Sequence, residues 1–102
     1  MSQQKSKLLK TYIYPAFFIE EKEGGYSVIF PDLLGCQTQG NSLAESLLMA
    51  KEALSLYIFD KLQDKKELPK ASNPKKIKNE QENLILMVKV NYQNFNFSFR
   101  YW

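Results

Sequence analysis

Histidine is absent from this chain, and cysteine occurs once, as Cys36. An internal disulfide is therefore impossible, and no nitrogen and sulfur set exists for structural zinc or for haem. Without histidine, nucleophilic chemistry at Cys36 would need a lysine as its base, an uncommon arrangement, so a small buried strand residue is the expected reading. Glycine occurs four times. Gly24, Gly25, Gly35 and Gly40 have neither the spacing nor the strand-to-helix setting of a phosphate-binding loop or a dinucleotide fingerprint. Apolar runs stay far below the roughly eighteen residues that cross a bilayer, and MSQQKSKLLK lacks the apolar centre of a secretory signal. A cytoplasmic location is expected. The carboxylates available for magnesium are Glu20, Glu21, Glu23 and Asp32, three of them at a hairpin tip where charges are normally solvated, so neither a metal nor any other cofactor is expected.

What remains is an ordinary globular composition: 102 residues, 44% apolar and 25% charged, enough for one domain with one core. The net charge is +3. Six lysines (65, 66, 70, 75, 76 and 78) crowd one stretch, which could be a phosphate-binding patch or a solvated linker. Asp64, Glu67, Glu80 and Glu82 are interleaved there, and no aromatic side chain offers a stacking platform, so the linker reading is favoured.

Tyr12 to Glu20 is rich in aromatic and β-branched types and leads into the charged tip Glu21-Lys22-Glu23-Gly24-Gly25, a strand followed by a turn. Tyr26, Val28 and Phe30 alternate with Ser27 and Ile29 as a second strand, which Pro31 ends. Gly35 lets the chain turn into a short third run, Cys36 to Gln39, completing an antiparallel three-stranded meander. The period then lengthens to that of a helix. Ser42 and Glu45 have capping-box spacing, and Leu43, Leu47, Ala50, Leu54, Ile58 and Leu62 form an apolar stripe that runs to about Gln63 and must pack on the sheet. Residues 64–83 read as an exposed Lys-rich connector.

Leu84 to Val90 is nearly continuous in apolar residues and reads as a strand covered on both faces. Placed parallel to the first strand through a right-handed crossover, it gives the order 3-2-1-4 in an α+β domain. In the C-terminal NYQNFNFSFRYW, the residues Phe95, Phe97, Phe99 and Tyr101 fall at period two. This aromatic strand is either a contact that builds a homodimer or higher homo-oligomer, an aggregation-prone edge, or a fifth strand of the chain's own sheet. The expected organisation is thus a domain over residues 1–91, with its core at 11–63 and 84–91, and a tail at 92–102.

Three quoted stretches carry a resemblance: Tyr14-Pro15-Ala16; GYSVIFPDLLGCQTQG from Gly25 to Gly40; and Ser42-Leu43 with Ala50-Lys51-Glu52-Ala53-Leu54. Together, over about residues 12–63, they resemble the HicB-type antitoxin family. The resemblance implies a partial RNase H-like fold, β-β-β-α-β, without the catalytic carboxylates of RNase H. It also implies an antitoxin that binds and neutralises a small mRNA-cleaving HicA-type ribonuclease toxin, and no enzyme activity. The carboxylates Glu20, Glu21, Glu23 and Asp32, beside Tyr26 and Leu33, are the expected partner-binding residues. Many relatives add a DNA-binding segment after this domain. Only about a dozen residues follow the last core strand here, at strand period, so DNA binding is not part of the expectation. Leu34 stands where the family often has proline. An orphan homo-oligomeric module without a toxin, associated with RNA through its lysines, is the alternative role.

Overall fold

The computed structural model describes residues 9–93. Strand β1 (Leu9–Glu20) turns back into β2 (Tyr26–Ile29), β3 (Gln37–Gly40) returns alongside, and helix α1 (Leu43–Gln63) crosses one face. A 3-10 turn (Pro74–Lys76) precedes the last strand, β4 (Leu84–Gln93). All pairings are antiparallel in the order β3-β2-β1-β4. The three-stranded meander, the helix and the strand order agree with the sequence reading, but β4 runs antiparallel to β1, from Phe18 opposite Leu84 to Leu9 opposite Gln93.

The reversed sense of β4 has a topological cause. Strand β3 ends at the hairpin end of the sheet, and α1 carries the chain over about 32 Å to the opposite end. A parallel β4 would start there. Instead residues 64–83 bring the chain back to the hairpin end before the strand begins, so no parallel crossover is formed.

That return segment is fastened rather than loose, although its lysines are exposed. Leu68 packs against the core on the helix side. The Tyr14 hydroxyl donates to the Pro69 carbonyl at 2.5 Å. Ser72 donates to Asp32 through both its N–H (2.7 Å) and its hydroxyl (2.6 Å). Asn73 caps the 3-10 turn by accepting from the Lys75 N–H. Asn79 and Asn83 bond reciprocally, Nδ2 to carbonyl and N–H to Oδ1, closing the last turn before β4. A polar, lysine-rich composition hides such order from a reading of hydropathy alone, because side-chain bonds to the backbone hold it in place of apolar burial.

Strand side chains alternate between two faces. On the helix side, Tyr14, Ala16 and Phe18 of β1, Val28 of β2, and Val88 and Val90 of β4 meet Ala50, Leu54 and Ile58, with Phe30, Leu33 and Cys36 from the β2–β3 loop completing the core. On the outer side, Phe17 and Ile19 line a cleft whose other wall is residues 78–83 of the return segment. Val88 and Val90 are buried, but Leu84 and Met87 remain 43% and 45% exposed. β4 is therefore an edge strand only partly covered, not one covered on both faces. Its apolar run reflects burial beneath α1 together with proximity to the outer cleft.

Pro15 in the middle of β1 costs no ladder bond. The Glu21 N–H donates to the Gly25 carbonyl, so by alternation the odd-numbered residues of β1 turn their main-chain groups toward β2 and the even-numbered ones toward β4. In this register Pro15 lies just beyond the last β1–β2 pair, where no partner carbonyl is left waiting.

Candidate hairpin-end site

The β1–β2 turn is shaped by two glycines at positive φ, Gly24 (+103°) and Gly25 (+82°). The Gly24 N–H donates to the Glu21 carbonyl, and the Glu21 N–H to the Gly25 carbonyl, each at 3.0 Å. At Gly25 a Cβ would come within 2.6 Å of the Gly40 carbonyl oxygen, so side-chain absence and positive φ are both required there. Gly40 in turn lies so close to α1 that a Cβ would sit 2.7 Å from the Ser46 nitrogen. Hairpin, β3 end and helix start are thereby packed backbone against backbone.

The start of α1 completes this corner. The Glu45 N–H donates to Ser42 Oγ at 3.0 Å, and Glu45 Oε1 accepts from the Asn41 N–H at 2.7 Å. The glutamate thus reaches one residue beyond the cap amide that capping-box spacing predicts. Ser46, fully buried, donates its hydroxyl to the Ser42 carbonyl at 2.7 Å. The stripe anticipated from apolar residues had no place for Ser46, and only the close approach of Gly40 explains a small hydroxyl residue there.

Between the hairpin and the helix start lies an open polar cleft lined by Glu21, Glu23, Tyr26, Ser27, Gln39 and Asn41. Glu21 accepts the Ser27 hydroxyl proton at 2.5 Å, which fixes one carboxylate at the rim. Glu20 and Glu23 are exposed beside it and Tyr26 is half-buried. With Lys22 among three glutamates, the tip carries net negative charge and amide and hydroxyl groups line its floor. Such a surface suits a cationic partner. Among the described residues no cluster of three or more His, Cys, Asp or Glu could hold a metal ion.

The six expected partner-binding residues do not form one site. Glu20, Glu21, Glu23 and Tyr26 come together at the hairpin end. Asp32 lies in the β2–β3 loop at the other end of β2 from the hairpin, with both oxygens engaged by Ser72, and the Leu33 side chain is fully buried in the core. Proximity in sequence suggested one cluster, but four-residue β2 carries the chain away from the hairpin before Asp32 and Leu33 are reached. Ser27, Gln39 and Asn41 were missed because neutral polar residues on strands give no signal until the pairing register sets them side by side. The expected oligomer contacts Phe95, Phe97, Phe99 and Tyr101 lie outside the described residues.

Cys36 is 4% exposed, and burial pushes its thiol up to about 11, so it is held protonated, its Sγ 3.7 Å from the Ala53 carbonyl. Burial, followed by the nearby Asp32 charge, also raises Tyr14 above the ordinary tyrosine value. Both groups are neutral core members. No helix among the described residues is long and apolar enough to cross a membrane.

Comparison with known proteins gives these features a context. An uncharacterized 14.9 kDa protein from the rep-hol intergenic region of Haemophilus phage HP1 is 48% identical over 62 residues, covering 61% of this chain and 45% of the phage protein. The chain thus spans less than half of that relative. A toxin–antitoxin complex from Streptococcus pneumoniae superposes with a TM-score of 0.70 at 25% identity, over 78% of this chain and 69% of the matched one. The HicA3 and HicB3 toxin–antitoxin complex gives 0.61 at 26% identity, over 74% of this chain and 94% of the matched one. The model of the HicB_like antitoxin of bacterial toxin–antitoxin systems matches residues 14–98. With five-sixths of its length matched, including the FPDLLGC turn and the capped helix, the chain belongs to the HicB-like antitoxin family.

Proposed function

We propose that this protein is the antitoxin of a HicA/HicB-type pair, neutralising a small mRNA-cleaving HicA-type ribonuclease by direct binding and performing no chemistry of its own. The observation that supports this most is the likeness, at 25–26% identity, to chains taken from two toxin–antitoxin complexes. The hairpin-end cleft fits the role. Glu20, Glu21 and Glu23 steer a basic partner, while Tyr26 supplies half-buried aromatic surface beside them. Asp32 and Leu33 serve the fold instead.

The test is titration of the full chain into a HicA-type toxin from the same genome, with RNA cleavage as the readout. Cleavage should cease near equimolar antitoxin. The double substitution Glu21→Gln and Glu23→Gln should slow association by about tenfold at low salt, with the difference shrinking as salt rises, because steering by exposed charges is screened. Undiminished cleavage in excess antitoxin would sink the reading.

A further inference from the structure

The alternation that spares Pro15 also fixes the free edge of β4. The even-numbered residues of β1 direct their main-chain groups toward β4, and in the observed register their partners are Leu84, Leu86, Val88 and Val90. The N–H and C=O groups of Ile85, Met87, Lys89 and Asn91 consequently point away from β1. Among the described residues no strand lies on that side, because β4 ends the sheet. Over Leu84 to Val90 this edge carries a single charge, Lys89, and leaves Leu84 43% and Met87 45% exposed. A long, apolar, unbulged edge is a template for strand pairing.

We propose that the occupant of this edge is a second copy of the chain, paired β4 to β4 antiparallel about a two-fold axis at Met87, perpendicular to the sheet. Self-pairing is favoured by what the register brings together. With Met87 facing Met87 of the other copy, Leu84 faces Val90 and Leu86 faces Val88 on the helix side, while Ile85 faces Lys89 on the outer side. Apolar surface meets apolar surface at each helix-side pair. The two Lys89 residues stand four positions apart along the strands, about 14 Å, beyond the screening length of about 8 Å at physiological salt. An axis at Lys89 would instead put the two ammonium groups side by side.

The assembly closes at two. The other edge of the sheet, β3, is only four residues long and presents polar Gln37 and Gln39, so it offers no comparable template for growth. The contact is separate from the hairpin-end cleft, which lies beyond the far side of the β1–β2 turn from this edge, and it does not depend on toxin binding.

The register makes the test specific. In the full chain, Met87→Cys should form an intermolecular disulfide under mild oxidation, since Cα atoms directly opposite in a ladder are about 5.5 Å apart. Ile85→Cys should not, because its symmetry mate would be about 14 Å away. Native Cys36 is buried and stays out of the reaction. In sedimentation velocity the unmodified chain should be a dimer, Met87→Lys should raise the dissociation constant by at least about tenfold with circular dichroism unchanged, and Gln39→Lys on the opposite edge should leave the dimer intact. A monomeric unmodified chain, cross-linking of Ile85→Cys as efficient as that of Met87→Cys, or a Met87→Lys dimer of unchanged affinity would each overturn the proposal.

Discussion

Asp32 and Ser72, forty residues apart, are joined by two hydrogen bonds that use both carboxylate oxygens, one to the serine N–H at 2.7 Å and one to its hydroxyl at 2.6 Å. The pair ties the return segment to the β2–β3 loop where the chain passes around the end of the sheet. Charge-assisted bonds of this kind contribute about 1.5–3 kcal/mol. Asp32→Ala should lower stability by that amount in urea unfolding, and trypsin should cut faster at the lysines between 65 and 78. Asp32→Asn keeps one acceptor and should fall between the two. Equal trypsin rates in all three would show that other contacts hold the segment.

Glycine substitutions at the hairpin end should separate backbone strain from steric conflict. Gly24 has open space around it, so Gly24→Ala meets only the cost of positive φ, about 1–2 kcal/mol. Gly40→Ala meets Ser46 main-chain atoms at under 3 Å and forces apart β3 and α1, adding a cost of about 1–3 kcal/mol or more. Thermal melts should therefore rank Gly40→Ala well below Gly24→Ala, although Gly40 is not one of the positive-φ glycines.

The two ends of α1 offer a matched pair of predictions of opposite sign. Ser42→Ala removes the acceptor for the Glu45 N–H and should cost about 1 kcal/mol. At the other end Lys65 sits at φ +57°, the left-handed position after a helix that glycine usually fills, with the Lys66 N–H reaching back to the Lys61 carbonyl. Lys65→Gly should stabilise by about 0.5–1 kcal/mol, the relief of the left-handed strain less the added entropy of the unfolded chain. Chemical denaturation of both variants checks the signs.

What the sequence made legible was the part governed by local rules. Period-two and period-3.6 patterns located β1, β2, β3 and α1, and the Ser42 and Glu45 spacing placed the helix start within a residue. The direction of β4 was not legible, because LILMVKV has the same pattern whichever way it runs and only the path of residues 64–83 decides. That path depends on bonds such as Asn79 with Asn83 and Tyr14 with Pro69, which leave no periodic trace. For the site, the acidic tip was visible and its separation from Asp32 and Leu33 was not, since the length of β2 between them shows only once the pairing register is known.

The buried thiol of Cys36 makes stability depend on alkaline pH. In the unfolded chain a cysteine ionises from about 8.5, while in the folded protein burial holds it protonated up to about 11. Its folded value is raised, so the contribution is fully present below the unfolded value and is lost as pH climbs toward the folded one, when the unfolded state alone sheds its proton. A shift of this size corresponds to about 3 kcal/mol. Tyr14, raised in the same direction, adds to the loss above its ordinary value near 10. Urea midpoints of the native chain should therefore fall steadily from pH 8.5 to pH 11. Cys36→Ser places a group that does not titrate in this range at the same position, and should start from lower stability yet decline less steeply. Parallel declines in the two proteins would locate the alkaline sensitivity elsewhere, with Tyr14 and its bond to Pro69 the next group to replace.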